Sequence, residues 1–187
     1  MKILTLNGSP HQHECVDFAL TEAEKIFSEH GVETERFWIG TRAVHGCIDC
    51  KFCRTHHQCV FGEDLVNSII EGMQTADGLL IGSPVYYAGP NGTLQAILDR
   101  AFHALDKSRC TLKAGAALVS CRRGGASATF DRLNKYFTIY EIPVAASCYW
   151  NSIHGNTVEE VKKDLEGLKT VHVLAQNMYD LISARLK

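Results

Sequence analysis

Four of the eight cysteines in this chain, Cys47, Cys50, Cys53 and Cys59, fall within thirteen residues. Thiolates at that spacing can turn onto one centre from a single irregular loop. The compact Cys-x-x-Cys-x-x-Cys run is closer to the ligand runs of iron-sulfur proteins than to the two well-separated pairs of most zinc sites. Electron-transfer chemistry is the reading this favours. The fourth cysteine follows His56 and His57 and is succeeded by Val60 rather than proline, so the bacterial ferredoxin pattern is not met to the letter. Two other accounts stay open: reduced thiols of which one or two are half-buried, and a zinc-stabilised binding module that borrows His56 or His57.

Composition narrows the classes. With 187 residues and 45% hydrophobic content the chain can bury a substantial core, and its length suits one domain, 1–187, with a cysteine-rich insertion at about 40–63. A formal net charge of -2, from 19 Lys+Arg against 21 Asp+Glu, gives no footprint for nucleic acid or for an anionic membrane. Met1 to Leu6 is too short for the apolar core of a signal peptide, and no apolar run approaches the ~18 residues of a membrane span. The expected location is the cytosol. Cysteines stay reduced there, which makes cofactor chemistry a better account of them than a disulfide framework.

The elements that must position these residues can be read from periodicity. Ile3 to Leu6 is a short buried strand stopped by Asn7-Gly8-Ser9-Pro10. Val16, Ala19, Leu20, Ala23, Ile26 and Phe27 then repeat at helical spacing, with Gly31 as the stop. Val32 to Ile39 is a second strand, and the cysteine loop runs from Gly40 to Glu63. Asp64 caps a helix carrying Leu65, Ile69 and Met73. Gly78 to Gly82 is a third strand with Asn91 to Asp106 as its helix. Gly115 to Ser120 is a fourth, followed by a helix near Ser127 to Tyr140. Ile142 to Cys148 is the fifth, and one long closing helix carries a stripe from Val158 to Leu181. Five strands alternating with five helices imply an α/β three-layer sandwich, a five-stranded parallel sheet of flavodoxin-like order 2-1-3-4-5 with helices on both faces.

In such a sheet a ligand sits beyond the carboxyl ends of the strands, at the switch point between the first and third. The first strand ends at Ser9, with His11 and His13 following. The third ends in Pro84, Val85, Tyr86 and Tyr87. The fourth adds Arg122, Gly124 and Gly125, and the fifth Trp150 and Asn151. The first loop leads into a helix N-terminus, whose unpaired N–H groups and positive dipole end suit a phosphate. The aromatics suit the flanks of a planar ring, and the glycine pair lets backbone approach closely. Taken singly, a Ser-Pro is ordinary turn chemistry, the aromatics are rim packing, the arginines a solvated pair and each histidine a polar loop residue. Their joint placement at the sheet ends is what points to a site.

The NGSP at Asn7 to Pro10, the cysteine run, the GSPVYY at Gly82 to Tyr87, the RRGG at Arg122 to Gly125 and the YWN at Tyr149 to Asn151 together resemble the flavodoxin-like NAD(P)H-dependent FMN reductases, and among them the iron-sulfur flavoproteins. The resemblance spans nearly the whole chain. It implies FMN, with the first loop on its phosphate and the Pro84 to Tyr87 loop against the isoalloxazine. It also implies NAD(P)H as donor, a 4Fe-4S cluster on the cysteines, and a homodimer or homotetramer in which neighbouring chains help cover the flavin. One departure is plain. Relatives continue the first loop as Gly-Asn-Thr, whereas this chain has Glu14-Cys15-Val16, which removes a hydroxyl and an amide and adds a negative charge.

The function expected is an FMN-dependent NAD(P)H oxidoreductase acting on a small-molecule electron acceptor, with no catalytic acid or base of its own. A non-catalytic flavin or iron-sulfur carrier, or a thiol redox sensor, is the alternative. No GxGxxG follows any expected strand and no GxxxxGK[ST] loop is present, which disfavours a nicotinamide enzyme of Rossmann type and a P-loop nucleotidase.

Overall fold

A computed structural model describes residues 1–187. Five strands run parallel in one sheet: β1 (Lys2–Asn7), β2 (Glu33–Trp38), β3 (Gly78–Tyr86), β5 (Ala114–Cys121) and β6 (Ser152–His154), in the order β2-β1-β3-β5-β6. Counted among themselves the parallel strands follow 2-1-3-4-5. A sixth, β4 (Gly89–Pro90), folds back antiparallel on the end of β3. The central strands are buried on both faces because their side chains alternate between two cores. Leu4, Leu6, Leu79, Ile81, Ala117 and Val119 face helices α3 (Val66–Met73), α4 (Gly92–Ala104) and α5 (Ala126–Ile139). Ile3, Leu80, Ala114, Ala116 and Leu118 face α1 (Cys15–Glu29) and α7 (Leu165–Leu186). A run with no polar face is stable only with cover on each side, which is what a parallel sheet with crossover helices supplies. No helix is long and apolar enough to cross a membrane.

Three boundaries differ from those the periodicity suggests. The segment Ile142 to Cys148 is not a ladder strand: Val144 alone bridges to Gly115. Ile142 is spent closing α5, since Glu141 adopts φ 58° and the Ile142 amide donates to the Phe137 carbonyl at 3.1 Å, a Schellman ending. Pro143, next along, has no N–H for a ladder. Pairing to β5 is therefore taken up further on, by Ser152 to His154 against Val119 to Cys121.

The closing helix is also broken. A short α6 (Val158–Val161) precedes α7, because one Asp164 oxygen caps α7 at the Gly167 amide (3.0 Å) while the other accepts the His154 amide (2.7 Å). The third difference is the hairpin β3–β4. Its two central residues, Tyr87 and Ala88, have φ 51° and 58°, the left-handed pair of a type I′ turn. Tyr-Ala carries no turn signature, so nothing in the sequence marks it.

The cysteine insertion contains one short helix, α2 (Cys53–His56), and otherwise little regular structure. It is held to α4 by Arg100, whose side chain is wholly buried on a helix face otherwise made of Leu94, Ile97, Leu98 and Ala101. The guanidinium meets Asp64 through both terminal nitrogens (2.5 and 3.1 Å) and donates to the carbonyls of His45 (3.2 Å) and Phe61 (3.1 Å). It also lies over the Phe61 ring at 5.1 Å. Burial alone would weaken the hold on its proton, but the contacts with Asp64 and Cys59 outweigh that and raise its pKa.

Removing one partner of a buried pair leaves an uncompensated charge at a cost of about 3–5 kcal/mol. Asp64→Ala should therefore lower the urea midpoint by a corresponding amount and open residues 40–63 to limited proteolysis. An unchanged midpoint and cleavage pattern would show that the pair does not anchor the loop.

Candidate functional site

The carboxyl ends of β1, β3, β5 and β6 open on one cleft of about 440 Å³. The loop after β1 contributes Ser9, His11 and Glu14, the hairpin Pro84, Val85 and Tyr86, β5 its last residues and Arg122, and the loop after β6 Gly155 to Thr157. The first loop is built tightly. Gly8 donates its amide to the Gly82 carbonyl at 2.8 Å, and a Cβ on Gly8 would lie 2.6 Å from that oxygen and 2.4 Å from Leu94 Cδ2. Only glycine passes there without displacing β3 or α4.

Asn7 Oδ1 accepts the Ser9 amide (3.0 Å), and Ser9 Oγ accepts the His11 amide (3.1 Å). From the neighbouring edge strand the Trp38 indole N–H donates to the Ser9 carbonyl (2.9 Å). Behind the loop, Asp17 and Glu24 of α1 are gripped by Arg36 of β2 at 2.5 Å each. Asp17 also meets the Asn7 amide at 3.4 Å. The loop is thereby fixed to both α1 and β2, while α1 starts with no side-chain cap, so its first-turn amides are free to meet an anion.

The charge at this end is mixed. The Cys15 thiol is pushed up by burial and then by Glu14, with Glu160 and Glu159 adding to it. An anion here relies on backbone dipoles, Ser9 and His11 against a local acidic field.

Of the residues the sequence designates, Ser9, His11, Pro84, Val85, Tyr86 and Arg122 line the cleft together. His13 does not; it is turned to solvent beside Asp17, 3.7 Å away. Tyr87 stands fully exposed at the hairpin tip. Neither Gly124 nor Gly125 lines the cleft. Gly125, at φ 92°, starts α5, and a Cβ on it would sit 2.9 Å from Ala88 Cα, so the two loops brace each other.

Trp150 and Asn151 also fall outside the lining. With pairing shifted to Ser152–His154, they enter β6 rather than leave it. Trp150 is exposed against Tyr149, ring centres 5.2 Å apart. Asn151 is buried, its carbonyl accepting from Val119 (2.9 Å) and its side-chain amide donating to Ala145 (3.4 Å), with Oδ1 unpaired. The residues that do leave β6, Gly155 to Thr157, were missed because the strand was placed too early.

A second cavity, of about 110 Å³, is lined by all four clustered cysteines together with Lys51, Arg54, Arg100 and His103. Asp49 and Lys51, on either side of Cys50, both have positive φ (52° and 64°), which turns the backbone sharply around that thiol. Cys59 is fixed by Asn67, which accepts its amide (2.8 Å) and donates to its carbonyl (3.1 Å). Cys47 and Cys50 are exposed, Cys53 and Cys59 half-buried.

The Cys53 thiol is pushed up by burial first, with the neighbouring sulfurs of Cys47, Cys50 and Cys59 adding to it. No three such side chains are gathered tightly enough to grip a single metal ion. Arg100, which binds Cys59 Sγ at 3.1 Å, escaped the sequence reading. The signal was there: an arginine on the apolar stripe of a helix must have a buried partner.

Known proteins share this chain's sequence pattern and its fold. An iron-sulfur flavoprotein of Methanosarcina thermophila is 30% identical over 187 residues, covering 97% of this chain and 95% of its own length. Another, from Methanocaldococcus jannaschii, is 27% identical over 189 residues, covering 97% of each. Among solved structures, RosB with a bound 8-demethyl-8-formylriboflavin 5′-phosphate intermediate superposes with a TM-score of 0.71 at 15% identity, over 100% of this chain and 80% of that one. A WrbA-like flavodoxin of Agrobacterium tumefaciens gives 0.64 at 12% identity, over 98% of each. These two likenesses establish the flavodoxin-like fold. The sequence profile of the NADPH-dependent FMN reductases matches residues 1–157, and the chain belongs to that family.

Proposed function

We propose that the chain is an FMN-dependent NAD(P)H oxidoreductase: FMN occupies the cleft beyond β1, β3 and β5, a reduced nicotinamide is the donor and a small molecule the acceptor. The observation that carries this reading is the first loop, where Gly8 pressed on the Gly82 carbonyl and Ser9 held from Asn7 and Trp38 leave the uncapped start of α1 open to the cleft. Bound FMN supplies a ring that takes up a hydride and yields electrons onward.

The chain's own part is binding and orientation. Ser9 and the first-turn amides of α1 donate to the phosphate. Pro84 to Tyr86 form a wall against the ring, and Arg122 brings positive charge to the cleft. Glu14 opposes the phosphate, which makes affinity depend on those amides more than in relatives with Gly-Asn-Thr. No side chain is needed as acid or base.

The four clustered cysteines suit a 4Fe-4S cluster: they line one cavity, and one sulfur already has an N–H donor. Such a centre on Cys47, Cys50, Cys53 and Cys59 would supply one-electron storage and transfer. Exposed Tyr86, Tyr87, Tyr149 and Trp150 are consistent with a homodimer or homotetramer in which a second copy covers the flavin. The cytosol is the proposed location.

Purified anaerobically, the protein should show flavin absorption and a broad iron-sulfur band, and should oxidise NADH or NADPH in steady state. An absence of flavin bands together with no NAD(P)H oxidation when FMN is supplied would remove the reading, and bound flavin without turnover would favour a carrier.

Cys50→Ser should abolish the iron-sulfur band and leave the flavin; retention of both means Cys50 is not a ligand. Gly8→Ala should weaken FMN binding at least tenfold, about 1.4 kcal/mol, as measured by quenching of flavin fluorescence. An unaltered Kd would show that the first loop does not hold the phosphate.

A further inference from the structure

We propose that Arg100 is a positioning residue for the cysteine centre, setting its electron affinity through an N–H···S hydrogen bond to Cys59; this rests on the reading of the four cysteines as ligands of an iron-sulfur cluster. A guanidinium has five N–H donors. Here each has an acceptor: Nη1 meets Asp64 and the His45 carbonyl, Nη2 meets Asp64 and the Phe61 carbonyl, and Nε meets Cys59 Sγ alone. Four of those bonds run to oxygen acceptors. The fifth is aimed at a sulfur.

That bond is 3.1 Å long, and Arg100 is 1% exposed, so neither water nor salt competes with it. An N–H directed at a ligating sulfur withdraws electron density and makes the centre easier to reduce. Asp64 offsets the net charge of the guanidinium, which leaves the directional Nε–H as what Arg100 adds to the site. Cys59 is also the cysteine whose backbone is pinned on both sides by Asn67, so donor and sulfur are held in register. Arg54, a cation on the same cavity, is exposed and has no such bond.

Lysine at position 100 keeps a cation for Asp64 but lacks the rigid fork that reaches the sulfur. In anaerobically purified holoenzyme, with iron and sulfide counted, an EPR-monitored redox titration should show the midpoint potential of Arg100→Lys shifted to a more negative value at unchanged iron content. Arg54→Gln should shift it less. A lowered melting temperature with an unmoved potential, or an equal shift in Arg54→Gln, would reduce Arg100 to a structural anchor and overturn the proposal.

Should Arg100→Lys fail to fold, wild-type protein grown on ¹⁵N-arginine answers the same question. Pulsed EPR of the reduced centre should detect a ¹⁵N coupling, and its absence overturns the assignment. Wild-type protein carrying neither iron nor sulfide would remove the cluster reading, and this proposal with it; an iron-replete protein with no shift removes this proposal alone.

Discussion

A buried arginine with every donor engaged is the constraint on which the cysteine insertion depends. Desolvating a guanidinium and a carboxylate costs several kcal/mol per ion, so the Arg100–Asp64 pair is tolerable only because the carbonyls of His45 and Phe61 and the Cys59 sulfur take the remaining N–H groups. Three of these acceptors come from the insertion, and Asp64 closes it. These contacts to Arg100 stand in for the strand or helix ladders that a mostly irregular 24-residue segment lacks. The left-handed backbone at Asp49 and Lys51, which the surrounding contacts must over-determine, belongs to that segment.

The cleft is governed by a different economy, that of backbone contact. Gly8 against Gly82, and Gly125 against Ala88, bring main chain to main chain at distances a side chain would forbid. Arg36 holds the helix side of the first loop through Asp17 and Glu24, and Trp38 holds the strand side through the Ser9 carbonyl. A ligand here meets a surface made largely of fixed dipoles, which need no reorganisation when an anion or a planar ring arrives.

The sheet order and both cores were legible because buried parallel strands and amphipathic helices write their burial directly into residue type: Ile3-Leu4-Thr5-Leu6 and Ala116-Ala117-Leu118-Val119 admit no other reading. That the four clustered cysteines share one cavity was legible too, as their spacing keeps them on one loop. The fifth parallel strand was misplaced because Ile142 is claimed by the end of α5, which its residue type does not disclose, and because Pro143, with no N–H to donate, was not read as a break. That error carried Trp150 and Asn151 into the expected lining and left Gly155 to Thr157 out. The Tyr87-Ala88 turn violates turn preferences, and such violations cluster where function demands them.

Helix α4 ties the two cavities together. Its cap, Asn91, donates its own amide to Ser83 Oγ (3.3 Å) at the end of β3, and Leu94 packs under Gly8, so its first turn is part of the frame of the cleft. Its last turns carry Arg100, His103 and Ala104 into the cysteine cavity. From Gly92 to Arg100 the helix rises about 12 Å, and the two cavities share no lining residue. The separation is thus set by a packed helix rather than by a loop, and holds as long as Leu94, Ile97, Leu98 and Ala101 stay buried. An irregular, cysteine-rich insertion gains a fixed position relative to the sheet ends because one arginine anchors it to the rigid element that also braces the cleft.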